Sequence, residues 1–410
     1  MKRKRHLILA LSRGGWGETA FGIRLADDLY ANGEEPVFIV HTSGRRLLCG
    51  RPFVAEEVAD NIEHLLELLI ASYLEEGRWS SIILADFFTA DGVLRRAGVD
   101  PMFLQAYGIP IVAIDTWNLS TSNRPIDLFL DKERDVADWI QTVNCRLVPV
   151  PIVSPAISDS GVCHFLPQPS RTTNRVRQHV RENLGLKRLD LAILFCTASW
   201  QQTTYDDQHG DRLAEAVPNL LMQYVSQLGS QVHLIHVGPR PVAVDRKMEA
   251  RYHWLGHLPA AQFDPLLGSV DLLLSANVSG TTVIKAIVSG LPVVVVENSF
   301  TAGSQLSTFP FALSENTETW LRDAQPLYPF RLWPLGFYKF LAPILDGNPF
   351  QTTVNTVELL DEVGFGSACR ELLFDRGARE RTTMAQEKYI AEVSGLPTPL
   401  QVLRQASIVH

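Results

Sequence analysis

The chain has 410 residues, including 24 Pro, 27 Gly and five Cys, with 46% hydrophobic and 20% charged residues and a formal net charge of −8. That composition fits two or three globular domains and excludes long disorder. It also excludes a general nucleic-acid binder, which needs a basic stripe, and a disulfide framework or close-spaced zinc site, because the five cysteines are scattered without a CxxC pair.

Residues 1–6 are basic, but the apolar run behind them, 7–11, is shorter than a signal-peptide core of ~7–15 residues. It reads as a first buried strand, and no stretch approaches the ~18 apolar residues of a membrane span. A cytoplasmic, reducing setting is therefore expected. The first half then alternates strand runs at 6–12, 36–41, 81–85 and 110–115 with helical patterns at 17–32, 55–76 and 91–107. This spacing predicts a parallel sheet covered by helices on both faces.

Residues 144–175 are rich in Pro, Ser and Thr and read as a linker or an ordered surface loop. The strand–helix pattern restarts beyond them. Helices are expected at 177–184, 211–228 and 281–289, and strands at 189–196, 232–237, 252–255, 270–275 and 292–297. Residues 300–350 are dense in aromatics and Pro, and an amphipathic helix is expected at 376–393. Two α/β units of similar size suggest a cleft between them that binds a ligand.

Two motifs carry candidate chemistry. The turn Ser12-Arg13-Gly14-Gly15-Trp16-Gly17-Glu18 joins the first strand to the first helix. Gly15 and Gly17 let backbone approach a ligand at a helix start. The turn is neither a dinucleotide fingerprint nor a Walker loop. Glu18 is a candidate base, or a first-turn acid that complements the helix dipole. Asp86 and Asp115 end later strands at the same carboxyl edge, where ligands bind in open α/β sheets, unless they only cap turns. The second motif is Ser279-Gly280-Thr281-Thr282, between a strand and a helix. It offers amides, hydroxyls and a positive dipole end to a phosphate, or else simple N-capping. The next strand ends at Glu297, placed to accept hydrogen bonds from a ribose diol. Thr197, Arg240 and His257 (with His253) follow other strands of this half and are candidate donor contacts. His233 and His236 lie inside a strand run and read as structural.

In this order the motifs resemble a GT-B glycosyltransferase that uses nucleotide-activated sugars. The resemblance rests on the first turn with residues 24–33, on 252–259, on 271–297, and on 381–397 with Gln386 and Tyr389. It departs from the family at Glu18, where many members carry His, and at Asn277-Val278-Ser279, where many carry His-Gly-Gly. Lys285 stands near a position often held by Glu, and Ser304-Gln305 stands for an Asp-Gln pair. The resemblance implies two Rossmann-like parallel-sheet domains facing a cleft: an acceptor domain at 1–165, a nucleotide-sugar domain at 176–375, and a C-terminal segment at 376–410 crossing back. It implies metal-independent transfer from a UDP-, dTDP- or GDP-sugar to a small molecule of secondary metabolism, with Glu18, Asp86 and Asp115 as catalytic candidates. No obligatory cofactor is expected, no nucleic acid is a partner, and a homodimer is allowed. The same architecture also admits a nucleotide-sugar hydrolase or epimerase, or a non-catalytic binding protein.

Overall fold

The structure, a computed structural model, describes residues 3–12, 16–122, 126–128, 132–134, 137–167, 172–198, 210–299, 309–324 and 338–409. The chain forms two compact units. The first comprises Met1–Pro125, Asp135–Phe165 and Glu392–His410, and the second Ile126–Arg134 and Leu166–Ala391.

Strands β1 (Arg5–Ala10), β2 (Glu35–His41), β3 (Val54–Val58), β4 (Trp79–Leu84) and β5 (Ile111–Ile114) come first in the chain. The short antiparallel pair β6 (Ile126–Leu128) and β7 (Lys132–Arg134) follows, then β8 (Cys145–Val150) and β9 (Val162–His164). Seven of these form the first unit's parallel sheet, in the order β3-β2-β1-β4-β5-β8-β9. Leu7, Ile8 and Leu9 of β1 are completely buried. Such continuous apolar runs suit strands covered on both faces. Val402, Leu403, Ile408 and Val409 pack into one core cluster with Ile8, Phe38 and Ile83. The chain's last residues are thus part of the first unit's core.

Three sequence expectations need correction here. The helix expected at 55–76 is strand β3, a 3-10 turn (Asp60–Leu65) and a helix of only Leu66–Glu76. β3 is a mostly exposed edge strand, and its polar residues resemble a helix face. The helix expected at 91–107 starts earlier, at Phe87, because Asp86 caps it, and it stops at Arg96. Gly98, at φ +79°, then turns the chain into the left-handed region. The expected linker at 144–175 contains β8 and β9. Val148 donates to Gly161 on the β9 side, so the Pro149 nitrogen faces β5, and there it lies past the last residue in register, Ile114 against Leu147, so no ladder donor is lost.

The second unit's sheet contains β10 (Leu191–Cys196), β11 (Val232–Val237), β12 (Tyr252–Trp254), β13 (Leu272–Ser275), β14 (Val293–Glu297) and β15 (Asn355–Glu358). All pair in parallel in the order β12-β11-β10-β13-β14-β15. Asp271 anchors the helix Asn174–Asn183 to this sheet. It accepts from Arg177 at 2.7 Å and Arg181 at 3.1 Å, and from the Ala192 amide at 2.8 Å. Between Phe300 and Phe350 two helices are described, Glu315–Ala324 and Tyr338–Leu345. Most of the aromatic run at 328–340 lies outside the described residues.

Candidate functional site

The first unit gathers two carboxylates at the C-terminal edge of neighbouring strands β1 and β4. Glu18 lies in the first turn of the helix Trp16–Ala31, and Asp86 follows β4. Gly22 of that helix sits against Ala85. The Glu18 Oε2 atom is buried and has no hydrogen-bond partner among the described residues. Burial, and then the charge of Asp86, push the Glu18 carboxyl up to about 7 from an ordinary 4.5, against hydrogen bonds from its own amide and from Ser12. Asp86 is also raised by burial, but hydrogen bonds oppose the rise. It accepts from the Thr89 amide at 2.7 Å and the Thr116 hydroxyl at 2.8 Å. These donors favour the charge on Asp86, so the proton that the pair retains belongs on Glu18.

Asp115 is completely buried and is occupied differently. It accepts from the amides of Leu119 at 2.7 Å and Ser120 at 3.3 Å, and from Arg146 at 3.3 Å. Arg146 also binds Asp159 at 2.7 Å. Asp115 thereby fixes the turn after β5 that delivers Thr116 to Asp86. Thr116 and Arg146 escaped the sequence reading. Thr116 could have been found by its place next to Asp115, whereas Arg146 lies in the stretch read as a linker. His41, at the end of β2, contacts Ser43 at 2.8 Å and Asp60 at 3.2 Å. Gly17 is the second residue of the first helix, and Gly15 lies outside the described residues.

The second unit has its own carboxyl-edge cluster. The helix Thr281–Val288 begins at Gly280, which makes no side-chain cap. Ser279 is turned instead toward Asn277, which accepts from its hydroxyl at 2.8 Å and its amide at 3.1 Å. The first-turn amides of Thr281 and Thr282 therefore have no cap within the helix, and the positive dipole end is left for an anion. One strand away, Glu297 pairs in register with Glu358 of β15. Burial, and then the Glu358 charge, push Glu297 up to about 7. Glu358 accepts from the Ser299 amide at 3.1 Å and also from its hydroxyl. The sequence reading missed Glu358, because β15 has a single apolar residue, Val357.

Thr197 follows β10 and contacts His236 at 2.9 Å, as His236 contacts Tyr252 at 2.8 Å. His253, a candidate donor contact, meets His233 at 3.1 Å, and His233 in turn meets Asp190 at 3.3 Å. Asp190 precedes β10, so this histidine pair belongs to the opposite edge of the sheet. Arg240 is exposed and His257 half-buried, both in the segments that leave β11 and β12. Among the described residues, no group of three or more His, Cys, Asp or Glu side chains could hold a metal ion. No helix among them is long and apolar enough to cross a membrane.

The chain belongs to the family described as "Family of unknown function (DUF6365)", whose model matches residues 25–409. No curated protein matches it in sequence. Its structure is similar to that of the spinosyn rhamnosyltransferase SpnG, at 12% identity and a TM-score of 0.58, covering 98% of this chain and 100% of that one. The glycosyltransferase SnogD from Streptomyces nogalater matches at 14% identity and a TM-score of 0.52, with 99% of each chain covered. Anabaena HepE, solved in complex with UDP-glucose, matches at 14% identity and a TM-score of 0.51, with 98% of each chain covered. The two parallel-sheet units are thus the GT-B fold of glycosyltransferases, as the motifs led one to expect.

Proposed function

We propose that this member of the DUF6365 family moves a sugar from a UDP-, dTDP- or GDP-sugar to a hydroxyl of a small-molecule acceptor. The observation that carries the reading is the uncapped helix start at Gly280–Thr282, at the carboxyl edge of a sheet in a glycosyltransferase fold. The second unit serves the donor. The amides and hydroxyls of Thr281 and Thr282 meet the diphosphate, Ser279 and Gly280, whose amides Asn277 holds, shape the approach to it, and Glu297 meets the ribose. Arg240, His257 and Thr197 are further donor contacts. Negative charge that grows on the leaving diphosphate is met by fixed dipoles, so the reading requires no metal.

The first unit serves the acceptor. Glu18 takes the acceptor hydroxyl proton as the acceptor oxygen bonds to the sugar carbon. The bond from that carbon to the diphosphate oxygen breaks, and its electron pair leaves with the nucleotide. A carboxyl near 7 is suited to this exchange at neutral pH. Asp86 keeps Glu18 basic, and Asp115 positions the turn that holds Asp86. Gly17, the second residue of the first helix, lets a ligand approach the backbone closely there.

The test is mass spectrometry after incubation with UDP-, dTDP- and GDP-sugars and a panel of phenolic and alcoholic acceptors. An acceptor that gains one sugar unit with wild type, and not with Glu18→Gln, supports the reading. Free sugar released at the same rate with or without acceptor overturns it in favour of hydrolysis.

A further inference from the structure

Thr197, His236 and Tyr252 form a hydrogen-bonded chain across three neighbouring strands of the second unit. Thr197 follows β10, His236 lies in β11 and Tyr252 in β12. Thr197 Oγ1 lies 2.9 Å from His236 Nε2, and His236 Nδ1 lies 2.8 Å from the Tyr252 hydroxyl. The Val242 amide donates to the same phenolic oxygen at 2.8 Å. His236 is completely buried, and Thr197 is 7% exposed. Tyr252 is half-buried, and burying His236 and Thr197 is costly unless each is paired, so the directions of the hydrogen bonds at His236 are constrained.

The imidazole is neutral at ordinary pH, because burial pushes its pKa down to about 4. One ring nitrogen therefore donates and the other accepts. Val242 already fills an acceptor position on the Tyr252 oxygen. If Nδ1 also donated there, the phenol would accept twice, and its acidic proton would have no acceptor among the described residues. If instead Tyr252 donates to Nδ1, it accepts once and donates once. A phenol is also more acidic, and so a better donor to imidazole, than the aliphatic hydroxyl of threonine. Nε2 then carries the ring proton and donates it to Thr197. The threonine oxygen accepts from inside the protein, and its own proton is left for the carboxyl edge of the sheet.

We infer that Tyr252 and His236 are positioning residues that make Thr197 a fixed hydrogen-bond donor to a phosphate oxygen of a nucleoside diphosphate. The identity of that ligand rests on the donor site proposed above. An oxyanion only accepts hydrogen bonds, so a hydroxyl that could equally turn inward and donate to His236 would lose part of its value. The relay removes the inward alternative before the ligand arrives, and fixed donors cost no reorganisation when charge grows. Tyr252 and His236 would thus shape the site without touching the ligand.

The first experiment needs no ligand. Long-range 15N–1H correlation NMR of the imidazole rings reports which nitrogen carries the proton. The His236 signals are the ones lost in His236→Gln, or, should that variant not fold, the ones whose Nδ1 resonance moves in Tyr252→Phe. The expected result is a protonated Nε2 and a bare, hydrogen-bonded Nδ1 near neutral pH. A protonated Nδ1 overturns the proposal.

The second experiment is calorimetric titration with UDP of wild type, Thr197→Val, Tyr252→Phe and the double variant. Thr197→Val is expected to weaken binding about tenfold, the scale of one hydrogen bond to a charged group. Tyr252→Phe should weaken it by a smaller factor, and the double variant should be no weaker than Thr197→Val. Losses that multiply would mean that Tyr252 acts independently of Thr197, and would overturn the relay. Failure of wild type to bind UDP, dTDP or GDP would instead defeat the donor reading, while the imidazole spectrum still decides the direction of the chain.

Discussion

Gly22 and Ala85 pack so closely that a methyl group on residue 22 would stand 2.9 Å from the Ala85 Cβ. Real side chains do not approach that closely, so only glycine lets the first helix lie this near the end of β4. The next residue after Ala85 is Asp86, and one turn before Gly22 is Glu18. The contact therefore sets the spacing of the two carboxylates. Gly22→Val should push the helix outward and destabilise the protein by about 1–3 kcal/mol. It should also return the Glu18 carboxyl toward its ordinary value. Carboxyl 13C titration by NMR reads the second effect apart from the first.

Glu18 also makes a prediction with a definite sign. Its folded pKa, about 7, lies above the ordinary 4.5. The folded state thus binds more protons than the unfolded state between those values. Its contribution to stability is fully present below about 4.5 and is lost as pH rises through about 7. Glu18→Gln should remove this dependence. Melting temperatures across this window should fall less steeply for the variant than for wild type. Equal slopes would show that Glu18 is not protonated in the fold.

Glu297 titrates by the same logic, with Glu358 as the nearby charge. The proposed ribose contact uses the ionised form of Glu297. UDP affinity should therefore rise as pH passes upward through about 7, where Glu297 loses its proton. Glu358→Gln removes the opposing charge and should move this rise to lower pH. Binding isotherms at several pH values check it, and an unchanged midpoint would exclude Glu297 as the group responsible.

Asp271 holds two arginines and one backbone amide. Asp271→Ala would leave Arg177 and Arg181 facing each other without a counter-charge. The expected cost is about 3 kcal/mol, seen as a lower urea midpoint with little change in slope. A loss under about 0.5 kcal/mol would mean that solvent screens the network as it does an exposed pair.

The alternation of strands and helices was legible because parallel strands buried on both faces are unbroken apolar runs. Val232–Val237 and the helix Arg376–Val393 have the bounds expected from their residues alone. What escaped was pattern-poor structure. β3 and β15 are short edge strands, β3 mostly exposed and β15 with a single apolar residue, and β8 carries a proline whose missing donor costs nothing at its register. The same limit applies to the candidate site. Glu18, Asp86 and Glu297 were visible as polar residues at strand ends or at a helix start. Their partners Thr116 and Glu358 were not, because strand order, which local sequence does not encode, brings them together. Strand order likewise turns His236 from a buried polar residue into the middle of a relay.

The most direct test of the account is thermal unfolding with UDP, dTDP and GDP, each in turn, for wild type and for the double variant Thr281→Val with Thr282→Val. A nucleotide at 100 times its Kd stabilises the unit that binds it by about 2.7 kcal/mol. For a unit the size of Ile126–Arg134 with Leu166–Ala391 this is a rise in Tm of about 5–10 °C. The account predicts such a rise for at least one nucleotide with wild type and a clearly smaller one with the double variant. No rise with any of the three, or an equal rise in both proteins, would contradict a donor site at the Gly280–Thr282 helix start.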